Sequence, residues 1–291
     1  MRDASARTAK QGAEGVSAIG RSYYFICSSR IGHSLARGVV SSLRACGALR
    51  KFHTPLDALT LDHAAAVGLM RLWSRIHWSP GDGMMPAEQL LAIYRLAAGW
   101  PARGDIVELG AWVGLTTSYL ATACQVRSEG KVHAVDTFLG TKEGNSTYPS
   151  AAKFGGSTLQ AFRDNIARAG VEDVVNTLID DTADAAAAYN GDAIRLLLID
   201  ADHSYEGLRR DYEGWWPHVA HGGLIVFHDY DMPDVARFID GQVRRDRRVS
   251  LEPGRVVANV MAVTKRSPAK SQCGYAPRRA VRTDSMEVTT G

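Results

Sequence analysis

VELGAWVGLTT, residues 107–117, is the stretch on which the fold turns. With Asp105 and Ile106 before it, the run to Leu109 is short, apolar and broken by one acid, Glu108, and it reads as a β-strand over Asp105–Leu109. Gly110 ends the strand, Gly114 follows, and Thr116 or Thr117 is placed to cap a helix that continues to Cys124. In an open α/β sheet a ligand sits outside the carboxyl ends of the strands, and glycine there lets backbone amides approach it closely. The spacing is GxxxG rather than GxGxxG, which weighs against the pyrophosphate site of a dinucleotide. An ordinary tight strand-to-helix connection would read the same way in isolation, so the argument depends on what surrounds it.

Downstream, strand-like runs alternate with helical ones, the pattern of an α/β domain with a mainly parallel sheet. Strands are expected at Val132–Asp136, Val174–Ile179, Ile194–Asp200 and Gly223–His228. Helices are expected at Ser157–Ala169, Ala183–Tyr189, Tyr205–His218 and Val235–Arg244. Two further strands, Arg247–Glu252 and Val256–Val263, flank Pro253-Gly254, which reads as a turn. Upstream, helical regions are expected at Leu56–Trp78 and Pro86–Ala98, with Pro86 at the first helical position and Leu90, Ile93, Tyr94 and Ala97 on one face.

Polar groups recur at the strand ends. Asp136 closes the second strand, where it could accept hydrogen bonds from both hydroxyls of a ribose or cap a helix. Asp180-Asp181-Thr182 follow the third and could border an adenine or cap the helix from Ala183. Asp200 ends LLLID, and His228 and Asp229 follow LIVF, so the three could converge on one cation; oxygen ligands suit Mg²⁺, and the imidazole also admits a transition metal. His203 lies just beyond Asp200, and with an ordinary pKa of ~6.5 it can take a hydroxyl proton near neutral pH. The bland reading is that Asp202 and His203 cap the Tyr205 helix and Asp229 bonds loop amides. Several strands ending in polar groups at one edge favour a shared ligand over independent caps.

The ordered series resembles the class I S-adenosylmethionine-dependent methyltransferases, specifically the small-molecule O-methyltransferases that include the catechol type and the macrocin-type sugar enzymes. It is most similar to a broad bacterial class I family, methyltransferase family 24 in type. VELGAWVGLTT, HAVDTF, the long phrase LLIDADHSYEGLRRDYEGWWPHVAHGGLIVFHDY and VARFID carry the likeness, which spans about Pro86 to Thr264. It implies a Rossmann-like, seven-stranded, mainly parallel sheet closing in a C-terminal antiparallel hairpin. It also implies that Glu108, Gly110, Trp112, Gly114 and Thr116 surround the methionine part of S-adenosylmethionine, that Asp136 holds the ribose, and that Asp181 and Thr182 border the adenine. Asp200, His228 and Asp229 match the metal positions of the catechol-type enzymes, where the last two are an acid and an amide, or two acids, so that His228 is a departure. His203 falls where those enzymes carry a lysine base. The implied reaction is metal-assisted methylation of a hydroxyl on a small molecule.

Composition bounds the alternatives. The chain has 291 residues, 45% of them hydrophobic and 22% charged, with 34 basic and 31 acidic residues giving a formal charge of +3. That even balance does not point to nucleic acid, and no apolar run reaches the ~20 residues of a membrane span, so a cytoplasmic enzyme with a small-molecule substrate is expected. The four cysteines, Cys27, Cys46, Cys124 and Cys273, show neither a disulfide nor a zinc pattern. Residues 1–53, with only Asp3 and Glu14 as acids up to residue 52, read as a basic tail, with a transit peptide as the alternative; residues 266–291 read as a second tail. The domain between them divides into N-terminal helices, 54–100, and a core, 101–265. The long connection Phe138–Gly156 is a candidate lid or a plain insertion, and the stripe of Leu61, Met70, Trp73 and Trp78 is core or a homodimer contact. An NAD(P)-dependent oxidoreductase and a non-catalytic cofactor-binding protein share the sheet; the first calls for a GxGxxG turn and a catalytic Tyr/Lys or hydride-relay set that this sequence lacks, and the second does not need Asp200, His203, His228 and Asp229 together.

Overall fold

The computed structural model describes residues 61–76, 85–140 and 151–267, together with Ser34. The expected tails fall almost entirely outside these residues, as do parts of the first helical region and of the candidate lid. Among the described residues no helix is long and apolar enough to cross a membrane.

Two helices, α1 (His63–Arg75) and α2 (Ala87–Gly99), precede a seven-stranded sheet. Then come β1 (Asp105–Leu109), α3 (Leu115–Arg127), β2 (Val132–Asp136), α4 (Leu159–Ala169), β3 (Val175–Ile179) and α5 (Thr182–Ala188). The second half is β4 (Ile194–Ile199), α6 (Tyr205–Trp215), β5 (Val219–Phe227), α7 (Pro233–Gly241), β6 (Val249–Val257) and β7 (Val260–Lys265). The strand order is β3-β2-β1-β4-β5-β7-β6. The first five strands are parallel, and β7 runs antiparallel to both β5 and β6. This is the Rossmann-like sheet with a closing hairpin that the sequence implies.

Alternation along the strands sorts side chains into two cores. Ile106, Ala134, Leu196, Leu198, Leu224 and Val226 face α1 to α4. Val107, Leu109, Val135, Leu197, Ile199, Ile225 and Phe227 face α5 to α7. Each such side chain, taken fully from water, stabilises the fold by ~1.5–3 kcal/mol, which is why runs buried on both faces read as continuous apolar stretches. Glu108, Asp136, Asp200 and His228 continue the set that faces α1 to α4, so the periodicity sends all four toward the same side.

Several boundaries differ from the sequence reading. The residue preceding α3 is Gly114, at φ 83°, and neither Thr116 nor Thr117 caps the helix. Pro86 sits one position earlier than expected, as the N-cap of α2. Pro253-Gly254 is not the hairpin turn: β6 runs through it, and the chain reverses at Ala258-Asn259, where Val257 pairs with Val260. The expected strand Val256–Val263 therefore straddles the real turn. A proline is tolerated inside β6 because β6 is an edge strand and its register against β7 shifts between Ser250 and Gly254, leaving no ladder bond for Pro253 to break.

Candidate active site

The parallel register sets Val135, Leu109, Ile199 and Phe227 side by side across β2, β1, β4 and β5. Asp136, Gly110, Asp200 and His228 follow them and form the next row. The ladder extends into it, because the amides of Gly110, Asp200 and His228 donate to Val135, Leu109 and Ile199 at 2.9, 3.0 and 3.2 Å. Strand order reverses between β1 and β4, so this edge carries the crevice where doubly wound sheets bind ligands. The sequence-predicted groups therefore do share one edge.

At the β1 end the backbone is shaped by glycine. Gly110 lies at φ 89°, and a Cβ there would come within 2.1 Å of the Asp200 carbonyl oxygen. Gly114, at φ 83°, would press a Cβ to 2.9 Å from the Phe162 ring. Both glycines thus let α4 and the end of β4 close on the turn. Trp112 also adopts a left-handed conformation, φ 48°, and is held there by Asp136, whose Oδ2 accepts from its amide at 2.7 Å. The other oxygen of Asp136 accepts from the Phe138 amide at 2.6 Å. The Ala111 amide also bonds this carboxylate, so most of its acceptor sites tie the β1 and β2 tips together. Asn165 of α4 braces the turn from behind by donating to the Val113 carbonyl at 2.8 Å. The Trp112 ring meets Phe154 edge-on, 5.8 Å between centroids.

Glu108 is sealed beneath the turn. Thr117 donates to its Oε2 at 2.5 Å, and the side chain is 1% exposed. Burial, reinforced by the Asp200 and Asp136 charges, pushes its pKa up to about 8 against the pull of the Thr117 bond. Burial also raises Asp136, although backbone amides partly offset it. Thr116 is buried, with its hydroxyl 3.8 Å from the Met85 sulfur. Beyond β3, Asp181 caps α5 by accepting from the Ala183 amide at 3.0 Å, and Thr182 donates to Asp211 of α6 at 2.5 Å. Asp181 thus caps its helix as the bland reading holds, while Thr182 ties α5 to the middle of α6.

At the β4 and β5 ends the charges are balanced differently. Asp200, His203 and Asp229 each present one ligand atom, all within 4.8 Å of one another. The His203 Nε2 lies 3.1 Å from Asp229 and 3.5 Å from Asp200. His228 turns its Nδ1 to the same two carboxylates, 3.0 Å from Asp200 and 3.2 Å from Asp229, while its Nε2 lies 2.7 Å from the Gln89 Oε1. The three residues of the cation set expected from sequence, Asp200, His228 and Asp229, therefore meet, and the His203 imidazole adjoins the same two carboxylates. Ser204, not Asp202 or His203, caps α6, accepting from the Gly207 amide at 3.1 Å. Burial opposes charge on both histidines, but Asp200 and Asp229 outweigh it and raise His203 to about 9 and His228 to about 10. Burial likewise opposes charge on the two acids, and the histidines overcome it, holding Asp200 and Asp229 below the usual carboxylate range.

Sequence reasoning missed Gln89 and Thr117. Gln89 was detectable: it falls on the same helical stripe as Ile93 and Ala97, so a polar residue stood at a buried position and required a partner.

Residues 107–230 match the model of a protein family described as a methyltransferase domain. Among solved structures, the O-methyltransferase NovP superposes with a TM-score of 0.54 at 19% identity, over 66% of this chain and 85% of its own. Cofactor-bound Rv0187 from MTB gives 0.46 at 19% identity, over 71% and 91%. The SAH-bound methyltransferase PaMTH1 from Podospora anserina gives 0.49 at 14%, over 70% and 88%. The likeness to NovP is one of fold.

Proposed function

We propose that this chain, a class I methyltransferase by its domain and fold, moves the methyl group of S-adenosylmethionine to a hydroxyl of a small-molecule acceptor. The observation that carries this reading is the convergence of Asp200, His203 and Asp229 within 4.8 Å on the same sheet edge as the β1 turn. The turn from Gly110 to Gly114 and the first turn of α3, with Thr116, receive the methionine end. Glu108 lies beneath as a buried acid. Asp136 takes the ribose through what acceptor capacity remains to it. At the adenine end, Asp181 and Thr182 have their side chains engaged, which leaves the backbone of their turn to recognise the base.

Asp200, Asp229 and the His228 Nδ1, 3.0 and 3.2 Å from them, form a donor set that suits Mg²⁺ or Mn²⁺ and so fits a divalent cation. When bound, such a cation supplies Lewis acidity that lowers the pKa of a nearby hydroxyl. Holding acceptor and methyl donor at attack geometry contributes up to ~7–11 kcal/mol of barrier lowering, the largest share asked of the protein. With a cation balancing the charges of Asp200 and Asp229, His203 would be left neutral, and it is then the residue to which the acceptor proton passes; a positioned base adds typically ~10²–10⁴-fold. Asp229 orients the ring and stabilises it once charged.

The test is transfer of a labelled methyl group to a panel of phenols and sugars by the full chain, with and without EDTA, in wild type and His203→Ala. Loss of turnover in the variant with unchanged S-adenosylhomocysteine affinity supports the base; undiminished turnover overturns it. Insensitivity of the wild type to EDTA overturns the cation.

A further inference from the structure

The geometry points to Gln89 as a positioning residue that decides which nitrogen of His228 faces the carboxylate pair. Gln89 stands in the first turn of α2, is 6% exposed, and reaches two groups distant in sequence. Its Nε2 donates to the Ala258 carbonyl at 3.2 Å, and its Oε1 lies 2.7 Å from the His228 Nε2. The Ala258 carbonyl can only accept, so the amide nitrogen must point to it and the amide oxygen must point to His228. That oxygen also only accepts. The His228 Nε2 is therefore committed as the donor, and Nδ1 is the atom left to meet Asp200 and Asp229, as their distances of 3.0 and 3.2 Å show.

The bridge arises from elements on either side of the segment matched by the methyltransferase family, residues 107–230. Ala258 belongs to the β6–β7 turn, and the adjoining Asn259 carbonyl accepts from the Tyr230 amide at 3.1 Å, which fixes the β5 tip beside His228 and Asp229. Gln89 thus joins the N-terminal helices, the hairpin and the candidate active site through one carboxamide. A histidine beside a cation cluster has its free nitrogen chosen by the bond the other makes, and loss of such an outer bond typically lowers metal affinity by ~10–100-fold.

This inference rests on the cation reading for its functional consequence, and the experiment separates the two. The full chain is prepared as wild type, Gln89→Leu and Gln89→Glu; the glutamate keeps an acceptor for His228, and the leucine keeps the volume without one. Long-range ¹H–¹⁵N spectra of the metal-free protein, followed over pH until the imidazole is neutral, report which nitrogen keeps its proton. Nε2 is expected to keep it in wild type and Gln89→Glu, and the proton to be shared between both nitrogens in Gln89→Leu. Mn²⁺ titration is expected to show at least a tenfold loss of affinity in Gln89→Leu, with restoration in Gln89→Glu and unchanged S-adenosylhomocysteine binding in both. A wild-type spectrum with the proton on Nδ1, or identical spectra in wild type and Gln89→Leu, overturns the role of Gln89. Absence of Mn²⁺ binding to the wild type overturns the cation reading while leaving the spectra to decide the positioning role.

Discussion

Four carboxylates stand along one sheet edge, and they are held in opposite ways. At the β1 and β2 tips, Glu108 and Asp136 are raised by burial, and among the described residues no cationic side chain offsets it. At the β4 and β5 tips, Asp200 and Asp229 are lowered by two imidazoles. The first pair is short of positive charge, which suits the proposed sulfonium and ammonium of the methyl donor. The second already contains its counter-charge, so a cation entering there competes with protons. Gly110 is the seam between them, since only its missing side chain allows the β1 turn to lie against Asp200.

The largest expected effect strikes the second pair alone. His203→Ala is expected to lower methyl transfer by ~10²–10⁴-fold while calorimetry shows unchanged S-adenosylhomocysteine affinity; parallel loss of both would mean that the two halves are not separable. Breaking the seam instead harms both. Gly110→Ala must place a Cβ 2.1 Å from the Asp200 carbonyl at φ 89°, and strain plus overpacking are expected to cost about 2–5 kcal/mol in thermal or urea unfolding.

The first pair is sharpened by pH. In the fold Glu108 keeps its proton up to about 8, against an ordinary value of 4.5. The stability this contributes is complete below the unfolded value and is lost as pH rises through about 8, so the wild type loses ground with pH. Glu108→Gln carries no such charge. Without ligand its melting temperature relative to wild type is expected to climb between pH 5 and 9, and a flat difference would show that Glu108 ionises at its ordinary value. Thr117→Val, which removes the 2.5 Å bond to Glu108, should cost about 1 kcal/mol and raise the Glu108 pKa further, readable as the same decline continuing to higher pH.

The comparison also explains what the sequence could and could not disclose. Strand ends were legible because each apolar run stops at a polar residue, and parallel pairing then sets Asp136, Gly110, Asp200 and His228 in one row without further information. Gly110 was legible as a glycine that mattered, although its reason is the Asp200 carbonyl as much as any ligand. The way His203 and His228 turn toward the carboxylates was not, because it depends on two rings at adjacent tips, one of which meets Gln89, 139 residues from His228. Thr116 and Thr117 misled as caps: with Gly114 opening the helix, Thr117 was freed to reach inward to Glu108. Pro253-Gly254 misled because a turn dipeptide is also what a bulged edge strand accepts.

That edge has a consequence for how copies of the molecule meet. A free strand margin invites another chain to add itself, hydrogen bond by hydrogen bond, and so to polymerise. On β6 the proline lacks an amide hydrogen and the shifted register bends the margin, so the outermost row offers no uninterrupted template. The sheet is thereby closed to growth at its hairpin side.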